Sequence, residues 1–170
     1  FLATLRSAMR YAGGVRIDHI LGLRRLWVVP HGAGPTEGAY LTYPMQDLMR
    51  LIAIESHRHR VLVIGEDLGT VPEGLRETLN EGGVRGMQVL LFEQDDKGAF
   101  KAPGQWSPQA CAMTTTHDLP PIAGWWRGTD IDWRVRLQPD ADEDQALALQ
   151  SERETQRTAL WAAFCAAGCA

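Results

Sequence analysis

The chain has no long apolar run, no surplus of positive charge, no even set of cysteines and no methionine at its first position. No stretch approaches the roughly 18 apolar residues that a bilayer-spanning helix needs, which excludes a helical membrane span. No basic leader followed by a short apolar core opens the sequence, so nothing reads as a secretory signal, and the expected compartment is the cytoplasm. With 17 Lys and Arg against 21 Asp and Glu the formal net charge is −4, and no basic block is present. That balance argues against nucleic acid as the main partner. The three cysteines, Cys111, Cys165 and Cys169, are an odd number and give no disulfide framework. Cys165 and Cys169 lie in an alanine-rich segment with no second pair of ligands, so they read as small buried residues rather than half of a metal site. No cofactor and no metal are expected.

What is present suits a folded domain: 170 residues, 45% hydrophobic and 22% charged. Phe1-Leu2-Ala3-Thr4-Leu5 already lies inside a helical pattern, with Leu2, Leu5, Met9 and Ala12 at helical spacing, which reads as a piece of a longer chain. The helix should end at Gly13-Gly14 in a left-handed glycine cap and deliver the chain into Val15-Arg16-Ile17-Asp18-His19. As a strand over 15–19, this run puts Arg16 and Asp18 on one face and Ile17 on the other. Ionisable groups in a β-branched, aliphatic run need a reason. An acid at the end of a strand with an arginine beside it is a candidate nucleophile or electrostatic stabiliser. On these four residues alone, a structural Arg–Asp pair closing the strand is the favoured reading.

Residues 22–43 read as irregular, with His31-Gly32-Ala33-Gly34-Pro35 as a loop and Trp27, Tyr40 and Tyr43 as exposed or cleft aromatics. Pro44 opens a helix with an apolar stripe of Met45, Leu48, Met49 and Ile52, running into the polar turn Ser56-His57-Arg58-His59-Arg60. Val61-Leu62-Val63-Ile64-Gly65 is a continuous apolar strand of the kind buried on both faces of a parallel sheet, ending in Glu66-Asp67. Thr70 and Glu73 have capping-box spacing for a short helix that stops before Gly82-Gly83. A third strand over 87–92 ends in Glu93, and a fourth over 110–116 ends in His117-Asp118. Asp140-Ala141-Asp142-Glu143-Asp144 caps a final helix. It is not a calcium loop, because Gln145 and Ser151 stand where such a loop needs Gly and Glu.

Strands alternating with helices, joined by right-handed crossovers, are parallel and end along one edge of the sheet. Asp18, Glu66, Glu93 and Asp118 are therefore expected to converge there, where α/β folds keep their sites.

Four segments in this order resemble the bacterial 4-α-glucanotransferases, or amylomaltases, relatives of the α-amylases: Val15-Arg16-Ile17-Asp18-His19, Gly38-Ala39-Tyr40-Leu41-Thr42-Tyr43-Pro44, Val63-Ile64-Gly65-Glu66-Asp67-Leu68-Gly69-Thr70-Val71-Pro72 and Thr116-His117-Asp118-Leu119-Pro120. The likeness covers most of residues 8–128. It implies an α/β fold, a partial (β/α)8 barrel of about four parallel strands with crossover helices. Residues 1–128 would form part of the catalytic barrel, and residues 129–170 the acidic loop and C-terminal helix of the same domain. The implied reaction is transfer of α-1,4-glucan segments between maltooligosaccharides, with retention through a covalent glycosyl-enzyme. The resemblance makes Asp18 the nucleophile, Glu66 the general acid/base and Asp118 the carboxylate that holds sugar hydroxyls. Arg16 would orient Asp18, His117 would bind the donor sugar, and Tyr40 and Phe92 would line the cleft. Trp125-Trp126 fits core or sugar platform alike.

A barrel of this type has eight strands, and the sequence supplies four. The remaining strands are expected before Phe1 and beyond Ala170, and the isolated chain is expected to be inactive and to self-associate through exposed sheet edges. An amylase-like hydrolase and a non-catalytic glycan-binding half-barrel remain rival readings. A metal hydrolase built on His19, Asp18 and His117 is disfavoured, since alternation sends an acid and its sequence neighbour to opposite faces.

Overall fold

The computed structural model describes residues 1–138 and 143–169. The chain packs as two compact units, Phe1–Met87 with Gln109–Cys111 and Gln88–Pro108 with Ala112–Ala170.

In the first unit, helix α1 (Leu2–Met9) buries Leu5 and Met9, one turn apart, and leads into strand β1 (Gly14–Ile17). The helix ends at Arg10 in right-handed conformation, and neither Gly13 nor Gly14 has a positive φ. No left-handed glycine cap forms, because the reversal is spread over residues 10–13. Helix α2 (Met45–His59) follows Pro44 and buries Met49 and Ile52 from the expected stripe. It carries the chain to β4 (Leu62–Gly65), which pairs in parallel with β1. Helix α3 (Leu75–Glu81) then crosses to β5 (Gly86–Val89), whose approach makes a parallel bridge between Arg85 and Ile64. Strand–helix–strand crossovers between parallel neighbours are thus the organising unit, as the alternation implies. Leu5, Met9, Ile20, Ile52, Val63 and Leu79 belong to the unit's core, with Val15 and Ile17 packed on it.

Burial of β4 is one-sided. Val63 and Gly65 are buried, but Leu62 is 49% exposed, so the unbroken apolar run does not mark a strand covered on both faces. Residues 22–43 are more regular than expected: β2 (Arg25–Val28) and β3 (Ala39–Thr42) form an antiparallel pair with Trp27 opposite Tyr40. Leu26, Trp27, Val28, Tyr40 and Leu41 are all exposed, so no polar–apolar alternation marked these strands. The Thr70–Glu73 capping box does not form either. α3 begins at Leu75 behind Gly74, whose φ is 77°, because Pro72 holds the residue before it out of helical conformation.

In the second unit the chain leaves β5 through a 3-10 turn, Leu90–Phe92, so the strand expected to reach 92 stops at Val89. Strand β6 (Ala110–Met113) is hydrogen-bonded to β5 and ends three residues before the expected 116. Beyond it Thr115 Oγ1 donates to Pro120 O at 2.9 Å, a side-chain bond that competes with continuing the ladder. Helices α4 (Ile122–Arg127) and α5 (Thr129–Leu137) are separated by Gly128, whose φ of 79° breaks them. Helix α6 (Glu143–Ala166) follows; of the acidic run 140–144, residues 140–142 lie outside the described residues. Phe100, Trp125 and Leu160 are the buried core. Cys165 and Cys169 are exposed rather than buried, since Cys165 sits on a different helical face from Leu160. Among the described residues no helix is long and apolar enough to cross a membrane.

Candidate functional site

The register of β1 on β4 places the first two acids. Ile17 lies opposite Gly65, so Asp18 and Glu66 are the next residues at the C-terminal end of the same parallel pair. Glu66 N–H donates to Ile17 O at 2.9 Å, and Ile20 N–H donates back to Glu66 O at 3.1 Å. The expected strand ends at Ile17, and Asp18 and His19 form a turn. His19 takes the left-handed conformation, with φ 45°, and its main-chain N–H meets Glu66 Oε2 at 2.7 Å. Leu68 N–H donates to Glu66 Oε1 at 3.2 Å. Both carboxylate oxygens are thus positioned by main chain, one of them from the turn that bears Asp18. Each oxygen still has a lone-pair direction to offer a substrate proton.

Gly65 allows this close approach. A Cβ there would stand 2.5 Å from Ile20 Cδ1 and 3.1 Å from Ile20 Cγ2 and Val84 Cγ1, so any side chain would force the buried Ile20 and Val84 to repack.

Arg16 and Asp18 do share a face. Arg16 Nη2 is 2.6 Å from Asp18 Oδ1, and Arg16 Nε–H donates to Met87 Sδ at 3.4 Å. The thioether and the carboxylate hold the guanidinium from two sides, while the Asp18 side chain stays 62% exposed.

Asp67 is the residue sequence reasoning missed. It is 3% exposed, its Oδ1 accepts Met87 N–H at 2.8 Å, and its Oδ2 accepts Arg76 Nε–H at 2.9 Å. A Cβ at Gly86 would lie 3.0 Å from Oδ2, so glycine there makes room for the carboxylate. The signal was present: adjacent acids after a strand point to opposite faces, so Glu66 and Asp67 could not share one task.

In the second unit, Asp118 sits in a turn rather than on a strand end. Leu119 N–H donates to Thr116 O at 3.2 Å, and Asp118 N–H to Thr116 Oγ1 at 3.3 Å. The turn defeats strand alternation and brings neighbours together: His117 Nε2 is 3.3 Å from Asp118 Oδ2, with both side chains mostly exposed. Phe92 ends the 3-10 turn after β5 and is half exposed. Glu93, expected among the strand-end acids, is taken up by Lys101 Nζ at 2.9 Å and closes the loop between 93 and 101. Tyr40 lies on β3 in edge-to-face contact with Trp27, ring centroids 4.9 Å apart, with the Arg25 guanidinium 4.2 Å over its ring. Trp125 is core, and Trp126 is partly exposed. Among the described residues no group of three His, Cys, Asp or Glu side chains is placed to hold a metal ion.

A family model described as 4-alpha-glucanotransferase matches residues 1–168. A 4-alpha-glucanotransferase of Mycobacterium tuberculosis is 44% identical over 141 residues, covering 81% of this chain and 20% of that protein. One of Haemophilus influenzae is 42% identical over 132 residues, covering 78% of this chain and 19% of that protein. Among solved structures, the amylomaltase of Corynebacterium glutamicum matches 98% of this chain and 24% of its own, with a TM-score of 0.89 and 32% identity. The amylomaltase of Streptococcus agalactiae, solved with acarbose, matches 86% of this chain and 31% of its own at a TM-score of 0.58; its 19% identity speaks for the fold alone. The chain therefore spans about a fifth of the length of the first relatives and about a quarter of the Corynebacterium structure. The α/β arrangement expected from the sequence, short parallel strands answering to part of a (β/α)8 barrel, is the one this likeness carries.

Proposed function

The chain belongs to the 4-α-glucanotransferase family, and from that premise we propose that it bears the carboxylates of a retaining transfer of α-1,4-glucan segments between maltooligosaccharides. Asp18 is the nucleophile, Glu66 the general acid/base and Asp118 the carboxylate that holds sugar hydroxyls. Arg16 orients Asp18, His117 binds the donor sugar, and Tyr40 and Phe92 line the cleft. Residues 1–128 belong to the catalytic barrel, and 129–170 supply the acidic loop and closing helix of that domain.

One observation carries this reading: Asp18 and Glu66 leave adjacent parallel strands in register, tied together through the His19 N–H on Glu66 Oε2. Retaining transfer needs two carboxyl groups about 5–5.5 Å apart. Neighbouring strands run about 4.8 Å apart, so side chains leaving their ends together suit that spacing.

An Asp18 oxygen attacks the anomeric carbon while the glycosidic C–O bond breaks, and Glu66 gives its proton to the departing 4-oxygen. The glycosyl–Asp18 ester then meets the 4-hydroxyl of an acceptor, whose proton returns to Glu66 as the ester bond breaks. Two inversions give net retention. Water in place of the acceptor would make the same machinery a hydrolase. The stretch Tyr40-Leu41-Thr42-Tyr43-Pro44, part of the family likeness, favours transfer. Three free cysteines support a reducing compartment, the cytoplasm, for this work.

A 5-fluoro-α-glucosyl fluoride tests the first step, because fluoride leaves without a proton and the ester persists. The expected result, in a protein that completes the barrel around this chain, is one fluoroglucosyl group on the peptide containing Asp18, lost in Asp18→Asn and retained in Glu66→Gln. Labelling elsewhere, or none, overturns the assignment.

A further inference from the structure

The loop between β6 and α4 has few main-chain groups with which to hold itself. It reads Thr115-Thr116-His117-Asp118-Leu119-Pro120-Pro121, and its two prolines lack the N–H groups that would close its return. Leu119 and Pro120 each precede a proline, which keeps both out of helical conformation, and α4 begins only at Ile122.

Closure falls to a side chain. Thr115 Oγ1 lies 2.9 Å from Pro120 O and 3.3 Å from Thr116 O, and a hydroxyl has one proton to give. Thr116 O already accepts Leu119 N–H at 3.2 Å, so the Thr115 proton goes to Pro120 O, which no main-chain N–H reaches among the described residues. The far end of the loop is anchored as well. Pro121 O accepts Gly124 N–H at 2.8 Å and Trp125 N–H at 2.9 Å, and Trp125 is buried. Asp118 stands on the ring closed between Thr115 and Pro120, with its side chain 78% exposed. Thr115 is half-buried, whereas its neighbour Thr114 is exposed.

We propose that Thr115 is a positioning residue for the transfer reaction: its hydroxyl, by tying the segment after β6 to Pro120, sets the direction in which the Asp118 carboxylate meets the sugar. Apart from His117, the structure gives that carboxylate no side-chain partner among the described residues, so its aim is that of the main chain that bears it. A displacement of about 1 Å in a group that must meet a substrate costs up to about 100-fold in rate. The proposal rests on the reading that Asp118 holds sugar hydroxyls.

A double-mutant cycle tests it, in a protein that completes the barrel around this chain and with maltotriose as donor and acceptor. Thr115→Val keeps the side-chain volume but leaves Pro120 O without its donor. The expected result is a kcat/KM lowered about tenfold, restored to within about twofold by Thr115→Ser, and unchanged in Thr114→Val. In an Asp118→Ala background, Thr115→Val should have no further effect, because a residue that acts through Asp118 then has nothing to aim. Amide NMR relaxation should also show lost order at Asp118 in Thr115→Val and its return in Thr115→Ser. A tenfold loss that persists in the Asp118→Ala background marks Thr115 as structural and overturns the proposal. So does a Thr115→Val protein without a cooperative unfolding transition, an unchanged Asp118 amide, or a Thr115→Ser protein no better than Thr115→Val. If Thr115→Val alone is without effect on kcat/KM, the proposal falls and the reading of Asp118 stands. If Asp118→Ala itself keeps full turnover, both fall.

Discussion

The end of β4 and the turn after β6 each present an acid proposed to work on the same sugar, yet they are built in opposite ways. At the end of β4, Glu66 is fixed by two main-chain N–H groups and Asp67 is buried against Met87 and Arg76. In the turn after β6, Asp118 is held by its own turn and by His117, and its side chain is 78% exposed. The contrast separates two ways of placing a carboxylate. In the first, the acid is part of what holds the strand end together, so changing it changes the fold. In the second, the acid hangs from a locally closed turn and is available to a ligand at little structural cost.

The sharpest way to break this comparison is Asp67→Ala. It leaves the buried Met87 N–H without an acceptor and removes the partner of Arg76 Nε, so a loss of about 3 kcal/mol is expected in urea unfolding. A loss under about 1 kcal/mol would show that the end of β4 is not locked by its buried acid.

Backbone clearance gives the next largest effect. Gly65→Ala forces a Cβ to within 2.5 Å of Ile20 Cδ1 and 3.1 Å of Val84 Cγ1, and should cost about 2 kcal/mol. Gly104→Ala, in the second unit, meets nothing within 4 Å and should change stability by less than about 0.5 kcal/mol. Equal effects, read from urea midpoints, would remove the close approach of the Asp18 turn as a feature of the first unit.

Glu66→Ala against Asp118→Ala then compares the two acids themselves. Truncating Glu66 frees the N–H groups of His19 and Leu68, and a cost of about 1–2 kcal/mol is expected. Truncating Asp118 removes one exposed carboxylate and should cost less than about 0.5 kcal/mol. Matching losses in thermal unfolding would mean that Asp118 is as structural as Glu66.

The same contrast explains what was legible beforehand. Two elements were readable: the Met45–Ile52 stripe of α2 through its helical periodicity, and β4 through an unbroken apolar run of strand length. The position of Asp18 and Glu66 just past two strand ends was readable because ionisable residues follow runs of strand-forming ones. The β2–β3 hairpin was not, since both its faces are exposed and no alternation distinguishes it. Glu93 looked like Glu66 in sequence, each an acid after an apolar run, and only the 3-10 turn at Leu90–Phe92 and the approach of Lys101 give it a different job. Adjacency alone separates Asp67 from the task of Glu66, but what Asp67 does instead depends on its distant partners Met87 and Arg76, which no local pattern contains.

The smallest effect, nil at neutral pH, comes from acid titration, and it marks where the two units should behave alike. In the first unit the Arg6 guanidinium beside Glu55 holds its carboxyl below the usual carboxylate range, with Arg58 adding to the effect and burial opposing it. In the second unit Arg153 beside Asp130 does the same. A carboxyl whose folded-state pKa is depressed contributes stability that is fully present above its unfolded value, about 4 for either residue, and that fades as pH falls through the folded value. Between pH 7 and about 5 neither pair should alter stability; below about 4 both contributions should decline together. Methyl NMR signals of the buried Ile52 and Leu160 report the two units separately. Glu55→Gln should flatten the acid limb seen at Ile52 and leave Leu160 unchanged, and Asp130→Asn should do the reverse. If either substitution flattened both limbs, acid stability would belong to the chain as a whole, and the difference between the end of β4 and the turn after β6 would have to be sought in the acids alone, not in the units that carry them.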